Sequence, residues 1–425
     1  MNRQIRTIDC HYIRTGIAAS FLVHEDGEGY FVEANTCHAL PHLLRALEEE
    51  GVGSEKVRWI AVTHAHLDHA GGALALLDAC PEASVLAHPR AARHLIDPDK
   101  LVSSAKKVYG ERAFAELYGD IRPIPADRVR IVEDGDEIPF KGGSLRCIYT
   151  RGHANHHFCL VDPVLDGVFT GDSFGLAYPV LQRNGLFIFP STSPTDFDPN
   201  AALETLDIIS NAGVRRVFLT HFGELTDPIA ARSQLREFLN FSGMLYEEAI
   251  SGTEGFEALS SRFEAELRKF FEKLAAWTGL LLTPDDWELL ATDLRLNADG
   301  IAFAGIKARG EQPAGSTHGR HGKIGPAADA AGPTGRDGLL SRIKMDPFRS
   351  MHVQVSQQRP FPSAEAVESH GHGEGDIDAH HSRLDPGGEF PGSITVAGEN
   401  GGAVSERVVI NQAQSAFEVW NPDDG

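Results

Sequence analysis

Three observations predict an α+β protein. Short runs of β-branched and aromatic residues recur through the first 220 residues, and several end in histidine or aspartate. Segments with apolar residues at helical spacing lie between these runs and again beyond residue 226. At 42% hydrophobic residues, the chain can build a sizeable core. Taken in order, residues 20–23 and 30–32 are strands around the turn Glu25-Asp26-Gly27-Glu28-Gly29. Residues 38–50 carry Leu40, Leu43, Leu44 and Leu47 on one helical face, ended by Gly51. Residues 57–63 are a buried strand, and a helix follows Ala70, Gly71 and Gly72. Residues 89–119 are helix-like, with Lys106, Lys107 and Tyr109 as candidates for a pocket wall. Further strands run through residues 145–149 and into Asp172 and His221. Helices open at Asp198-Pro199 and at Thr226-Asp227-Pro228, where proline suits the first helical position. The stretches 256–282 and 284–296 are amphipathic, and Phe263, Leu267, Phe270, Phe271 and Leu274 form one apolar face. They read as a helical subdomain packed on the strands. The alternatives are a cap over the active site or the surface of a homodimer.

The chemistry concentrates in Thr63-His64-Ala65-His66-Leu67-Asp68-His69. With His and Asp each at roughly 5% of residues, H-x-H-x-D-H should arise by chance about once in several hundred chains of this length. Imidazole and carboxylate are ligands for zinc, iron and similar ions. The motif joins a strand to a helix. His64 and His66, two apart, share a side of an extended segment, while Asp68 and His69 at the helix start face a second point. The small residues 70–72 leave room for close backbone packing. This spacing suits two neighbouring metals. His153, Asp172 and His221 stand at the ends of other strand-like runs, where binding loops gather. A lone strand-end histidine is more often hydrogen-bonded than metal-bound, and the shared context of these residues reverses that reading. His156 and His157 adjoin His153, and neither is expected to bind metal; one should be buried and one near the surface. Tyr178, six residues after Asp172, is a candidate donor to a substrate oxyanion, against simple packing.

The set His64-x-His66-x-Asp68-His69, His153, Asp172 and His221 resembles the metallo-β-lactamase-fold superfamily, in the style of its glyoxalase II-like hydrolases, over roughly residues 5–240. The resemblance implies a four-layer αββα sandwich with metals at one edge. It implies that His64, His66 and His153 bind one ion, that Asp68, His69 and His221 bind a second, and that Asp172 bridges them. One departure is local: Glu33-Ala34-Asn35-Thr36 stands where many members carry an Asp-x-Gly-like turn.

Two ions sharing a water can lower its pKa towards about 7 and polarise a carbonyl or phosphoryl oxygen. Asp68 can also orient the nucleophile. The expected protein is a dinuclear zinc hydrolase, with iron or manganese as alternative metals. It would attack a small ester, thioester, lactone or amide with metal-bound hydroxide. Its rivals are a mononuclear iron enzyme resembling the superfamily's persulfide dioxygenases and, further off, a nuclease. The net charge of −21 argues against nucleic acid as a partner, since that affinity rests on Lys and Arg. The five cysteines form no CxxC pair, so buried thiols and a reducing, cytoplasmic setting are expected. No signal core or membrane span is evident. From about residue 304 the composition shifts: residues 311–425 hold 17 of the 43 glycines and 9 of the 23 prolines, and helical or strand periodicity fades. Disorder is the expectation there. The tail also carries His370-Gly371-His372 and His380-His381, a loose metal-binding composition, and strand-like residues 393–396 and 407–410. The expected organisation is a catalytic domain over 1–240, a helical extension over 241–303 and a Gly/Pro/His-rich tail over 304–425.

Overall fold

Alternation of apolar side chains along the strands sets the layering of the structure, a computed structural model that describes residues 3–193 and 196–311, without the side chains of residues 108, 109 and 311. The Tyr109 side chain and the expected tail from residue 312, with its histidine tracts and strand-like stretches, lie outside the described residues. One six-stranded sheet runs in the order β1 (Gln4–Asp9), β2 (Ala19–Glu25), β3 (Glu28–Val32), β4 (Val57–Ala61), β5 (Ser84–Ala87) and β6 (Val129–Ile131). The other contains β7 (Glu137–Phe140), β8 (Gly143–Tyr149), β9 (Phe158–Asp162), β10 (Gly167–Phe169), β11 (Arg216–Leu219) and β12 (Gly223–Glu224), also in chain order. Phe21, Val23 and Tyr30 of the first sheet meet Leu145, Cys147, Phe158, Leu160 and Phe169 of the second in a shared core. The intervening residues point the other way, as a period of two requires. Leu22, Phe31, Ile60 and Val85 pack outward on one face. Ile148, Cys159, Val161, Val217 and Leu219 pack outward on the other.

Helices cover both outer faces. On the first sheet lie α1 (Leu40–Glu49), the short α2 (Leu67–Ala70), α3 (Ala73–Ala79) and α4 (Pro89–Ile96), through Leu43, Leu47, Leu76 and Leu95. Next in the chain come α5 (Asp99–Tyr109) and α6 (Glu111–Tyr118). The second sheet carries α7 (Pro199–Ser210), α8 (Pro228–Ser251), α9 (Phe256–Thr278) and α10 (Pro284–Glu311). The architecture is therefore the four-layer αββα sandwich, with the last two helices as its helical extension. Asp198 and Asp227 cap α7 and α8 by accepting from the second and third backbone N–H groups of each helix. The apolar face expected on α9 is buried through Phe263, Leu267, Phe270, Phe271 and Leu274. Helix α8 runs through residue 240, and α10 runs on to Glu311 with Ile301, Ala302 and Ala304 buried, so neither expected boundary, at 240 or 303, coincides with a helix end. Lys106 pairs with Glu111 and Lys107 is exposed, so these two lysines form a helix junction and a surface position.

A buried charge cluster ties the two sheets together. Asp162 of β9 accepts from the Arg3 guanidinium at 2.7 Å, from the Tyr30 hydroxyl at 2.7 Å, and from the backbone N–H groups of Val164 and Leu165 at 3.0 and 3.1 Å. Arg3 also donates to Glu25 at 3.0 Å. Breaking a buried pair leaves an uncompensated charge and costs about 3–5 kcal/mol. Asp162→Ala should lower unfolding stability by that amount in urea titration; a loss below about 1 kcal/mol would show that the cluster is not needed for stability.

Candidate metal centre

Strand ends at one side of the sandwich bring the sequence-defined residues together. His64 and His66 leave the end of β4, and His66 is the extended residue that opens α2, which carries Asp68 and His69. His153 follows β8, Asp172 follows β10 and His221 follows β11. All seven are buried. The loop is held from behind: the Asn35 side chain donates to the Asp68 carbonyl at 2.9 Å, and Gly72 donates to the Asn35 carbonyl at 2.7 Å. A Cβ on Gly72 would fall 2.5 Å from the carbonyl oxygens of Ala34 and Thr36, so the small residue there is a steric requirement.

Ligand-type atoms fall into two groups. His64, His66, His153 and Asp172 form one, and Asp68, His69 and His221 form the other, each with its atoms within 4.8 Å of one another. In the first, His153 Nε2 lies 3.2 Å from His64 Nε2 and 3.2 Å from His66 Nδ1. In the second, His221 Nε2 lies 3.5 Å from Asp68 Oδ2, and His69 Nε2 lies 3.8 Å from the same oxygen. Asp172 faces both: Oδ2 is 3.5 Å from His153 Nε2, while Oδ1 is 3.3 Å from His69 Nε2 and 3.4 Å from His221 Nε2.

The outer hydrogen bonds decide which ring nitrogens carry hydrogen. His153 Nδ1 donates to the Ser191 carbonyl at 3.1 Å and His221 Nδ1 to the Ile17 carbonyl at 2.7 Å. His69 Nδ1 donates to Glu33 at 3.0 Å. The Thr63 hydroxyl donates to Glu33, which leaves its oxygen to accept from His64 Nδ1 at 3.0 Å. In the neutral rings the inward nitrogens are therefore lone pairs, as at His64 and His153. Brought to 3.2 Å of one another without a hydrogen between them, they repel unless a cation lies among them. Ligand bonds of about 2.0–2.1 Å in a tetrahedron place nitrogens roughly 3.3 Å apart, which matches the observed spacing. His69 Nε2, His221 Nε2 and both oxygens of Asp172 are buried without a hydrogen-bond partner. The donor set fits divalent metal ions.

Electrostatics agree. Burial and the neighbouring imidazoles hold His64 and His66 well below the usual histidine range, which keeps them neutral. Burial also lowers His153, although Asp172 opposes the shift. Burial would lower His69 and His221 too, but Asp172 and the other carboxylates outweigh it and raise both. Burial would raise Asp172, yet His69, His221 and His153 outweigh it and hold the carboxylate well below its usual range. Without metal, the second group thus draws positive charge onto its own imidazoles.

Three residues around the centre carry little or no sequence signal. Glu33, fully buried with φ 64° at the end of β3, accepts from Thr63, His69 and the Thr220 hydroxyl. It occupies the departure from the usual turn, and the local hint is an acidic residue directly after an apolar strand. Although Glu33 groups with His64 and His69, it meets the outward nitrogen of His69 directly and reaches that of His64 only through the Thr63 hydroxyl, so it orients ligands. Tyr178 is buried against Phe189 and donates to Asp293 Oδ1 of α10 at 3.2 Å. Burial pushes the Asp293 carboxyl up to about 7, against the opposing charge of His221. Asn297, one turn further along α10, is also buried at this edge. Both His156 and His157 are buried, unlike the split expected from sequence. His157 Nε2 accepts from the Asp172 N–H at 3.3 Å, so its Nδ1 donates to the hydroxyls of Thr150 and Ser173. It braces the bridging residue from behind.

Comparison with known proteins gives the lineage. The family model described as "Metallo-beta-lactamase superfamily" matches residues 15–221, up to the last histidine of the site. The metallo-beta-lactamase fold-containing protein ST1585 of Sulfurisphaera tokodaii is 33% identical over 218 residues, covering 50% of this chain and 78% of that protein. The lactamase-like protein adaB of Aspergillus niger is 24% identical over 196 residues, covering 46% of this chain and 48% of that protein. The crystal structure of ST1585, described as an archaeal metallo-beta-lactamase superfamily protein from Sulfolobus tokodaii, aligns with a TM-score of 0.50 at 24% identity, over 71% of this chain and 99% of that one. That structural likeness bears on the fold, and the sequence identity to the same protein carries the kinship. The chain belongs to the metallo-β-lactamase superfamily.

Proposed function

We propose that the protein is a dinuclear zinc hydrolase, glyoxalase II-like in its ligand set, acting on a small-molecule ester, thioester, lactone or amide. The observation that carries this reading is Asp172, whose two buried oxygens face two separate imidazole groups and meet no hydrogen-bond donor. When bound, a pair of divalent ions supplies a water of lowered pKa and an electrophile for the substrate oxygen. His64, His66 and His153 would hold one ion, Asp68, His69 and His221 the other, and Asp172 both. Asp68 accepts a hydrogen from the attacking water and so aims its lone pair at the carbonyl carbon. The buried walls limit competing solvent. Tyr178 offers its hydroxyl to the developing oxyanion only when Asp293 carries a proton, because an ionised Asp293 takes the phenol hydrogen for itself.

The acidic chain supports a small-molecule substrate over nucleic acid. The five unpaired thiols support a reducing compartment such as the cytoplasm. Among the described residues, no helix is long and apolar enough to cross a membrane. A homodimer remains part of the proposal, tested by sedimentation.

The direct test is metal content measured beside a panel of lactones, thioesters, esters and β-lactams. Two zinc ions per chain with turnover support the reading. One iron per chain, with oxygen uptake on a glutathione persulfide, overturns it in favour of a dioxygenase. His66→Ala should leave at most one ion per chain after dialysis and reduce turnover by at least about 100-fold. Unchanged stoichiometry and turnover would refute the ligand assignment.

A pH test isolates Asp293. Its folded-state pKa is raised to about 7, so folding favours the protonated carboxyl. That advantage is complete below the unfolded carboxyl range, near 4, and fades as pH rises through 7. In chelator-treated protein, Asp293→Asn should gain melting temperature relative to the parent between pH 5 and pH 8. Parallel curves would show that Asp293 titrates normally.

A further inference from the structure

The face of α10 that bears Asp293, Asn297 and Gly300 has the i, i+4, i+7 spacing of one helical stripe. It lies against the segment 190–193. Asn297 Oδ1 accepts from the Thr192 N–H at 2.7 Å, and Asn297 Nδ2 donates to the Pro190 carbonyl at 3.0 Å. The Thr192 hydroxyl returns a hydrogen bond to the Asn297 carbonyl at 3.0 Å. A Cβ on Gly300 would fall 1.6 Å from the Thr192 carbonyl oxygen, so helix and segment meet backbone to backbone there. Asn297 is 3% exposed and Thr192 fully buried.

The Thr192 N–H and the Ser191 carbonyl belong to a single peptide unit, and that unit is planar and rigid. Its N–H side is held by Asn297, and its carbonyl side accepts His153 Nδ1 at 3.1 Å. One uninterrupted line of hydrogen bonds therefore runs from the Asn297 amide oxygen through one peptide plane to the ring of a proposed ligand. Polarisation along such a line strengthens each bond in it. We propose that Asn297 is a positioning residue of the metal centre, fixing the orientation of His153 through the Ser191–Thr192 peptide. The inference rests on the two-metal reading above and gives the helical extension a part in it. Groups that orient metal-bound imidazoles carry effects of about 10–100-fold on metal affinity when removed.

The test compares the full chain with Asn297→Ala and Asn297→Asp. Zinc affinities at both sites are read by competition with a chromophoric chelator, the ligand-field spectrum after cobalt substitution, and stability by thermal melting. Asn297→Ala should weaken the site containing His153 by about 10-fold or more, shift its cobalt bands and leave the other site unchanged. Asn297→Asp keeps the acceptor for the Thr192 N–H but loses the donor to Pro190. It should lose stability, as the alanine variant does, yet retain the affinity and spectrum of the parent. A melting loss in Asn297→Ala with both affinities and the cobalt bands unchanged overturns the inference alone. So does an equal loss at both sites. Should Asn297→Ala not fold, Asn297→Ser, whose shorter side chain gives up the amide acceptor for the Thr192 N–H, takes its place, and parental affinity at the site containing His153 in that variant overturns the inference likewise. A parent chain that binds no divalent ion overturns the two-metal reading itself.

Discussion

Asp172 is buried with both carboxylate oxygens lacking a hydrogen-bond donor, and the rest of the site can be understood as the answer to that cost. Removing a carboxylate from water is affordable only beside compensating charge. The compensation comes from three strand ends: His69 after β4, His153 after β8 and His221 after β11, each within 3.5 Å of one Asp172 oxygen. Three loops must therefore converge on one residue, and the two sheets must be locked in register for them to do so. The Arg3–Asp162–Tyr30 cluster and the shared aromatic core between the sheets supply that lock at the other side of the strands.

Four of the rings that meet at the centre are restrained from outside, by three kinds of acceptor. His69 uses the Glu33 carboxylate, His64 the Thr63 hydroxyl, and His153 and His221 backbone carbonyls. These acceptors fix tautomers: the lone pairs of neutral His64 and His153 point inward before any ion arrives, while His69 and His221 are drawn towards the charged form that an ion would replace. Glu33 is the most connected of them. It reaches Thr63, His69 and Thr220, and so joins the ends of β3, β4 and β11 in one network. The left-handed backbone at Glu33, unfavourable for a residue with a Cβ, is the local cost of turning its side chain inward.

Legibility in the sequence followed the range of the interactions. The strands, the caps at Asp198 and Asp227, and the histidine–aspartate loop are local patterns, and each appears where its pattern lies. The seven residues could be grouped because strand ends bring them to one edge, and the family resemblance divided them into two sets. What stayed hidden depends on contacts across long sequence separations. Asp293 is 115 residues from Tyr178, and Asn297 is 105 from Thr192. On sequence alone, Asp293 is a polar residue in an amphipathic stretch and Asn297 lies just past its expected end, both indistinguishable from a solvated face. The burial of His156 was equally invisible, since it depends on how the loop after β8 folds back towards Ala65.

Those same distant contacts change how the helical extension is understood. A subdomain that merely covered the outer face of the second sheet would need an apolar stripe alone, and α9 supplies one through Phe263, Phe270 and Phe271. Helix α10 does more. It places a carboxyl against Tyr178, an amide against the Ser191–Thr192 peptide and a glycine where two backbones touch. Polar groups buried at a helix interface cost stability unless each partner is met in a defined geometry, so they enforce one register where an apolar stripe would tolerate several. Slipping α10 by one residue would leave Asn297 unsatisfied and drive a side chain into the Thr192 carbonyl. The extension is thereby registered on the segment whose Ser191 carbonyl holds His153, so one proposed ligand is oriented from a helix more than 100 residues away in sequence.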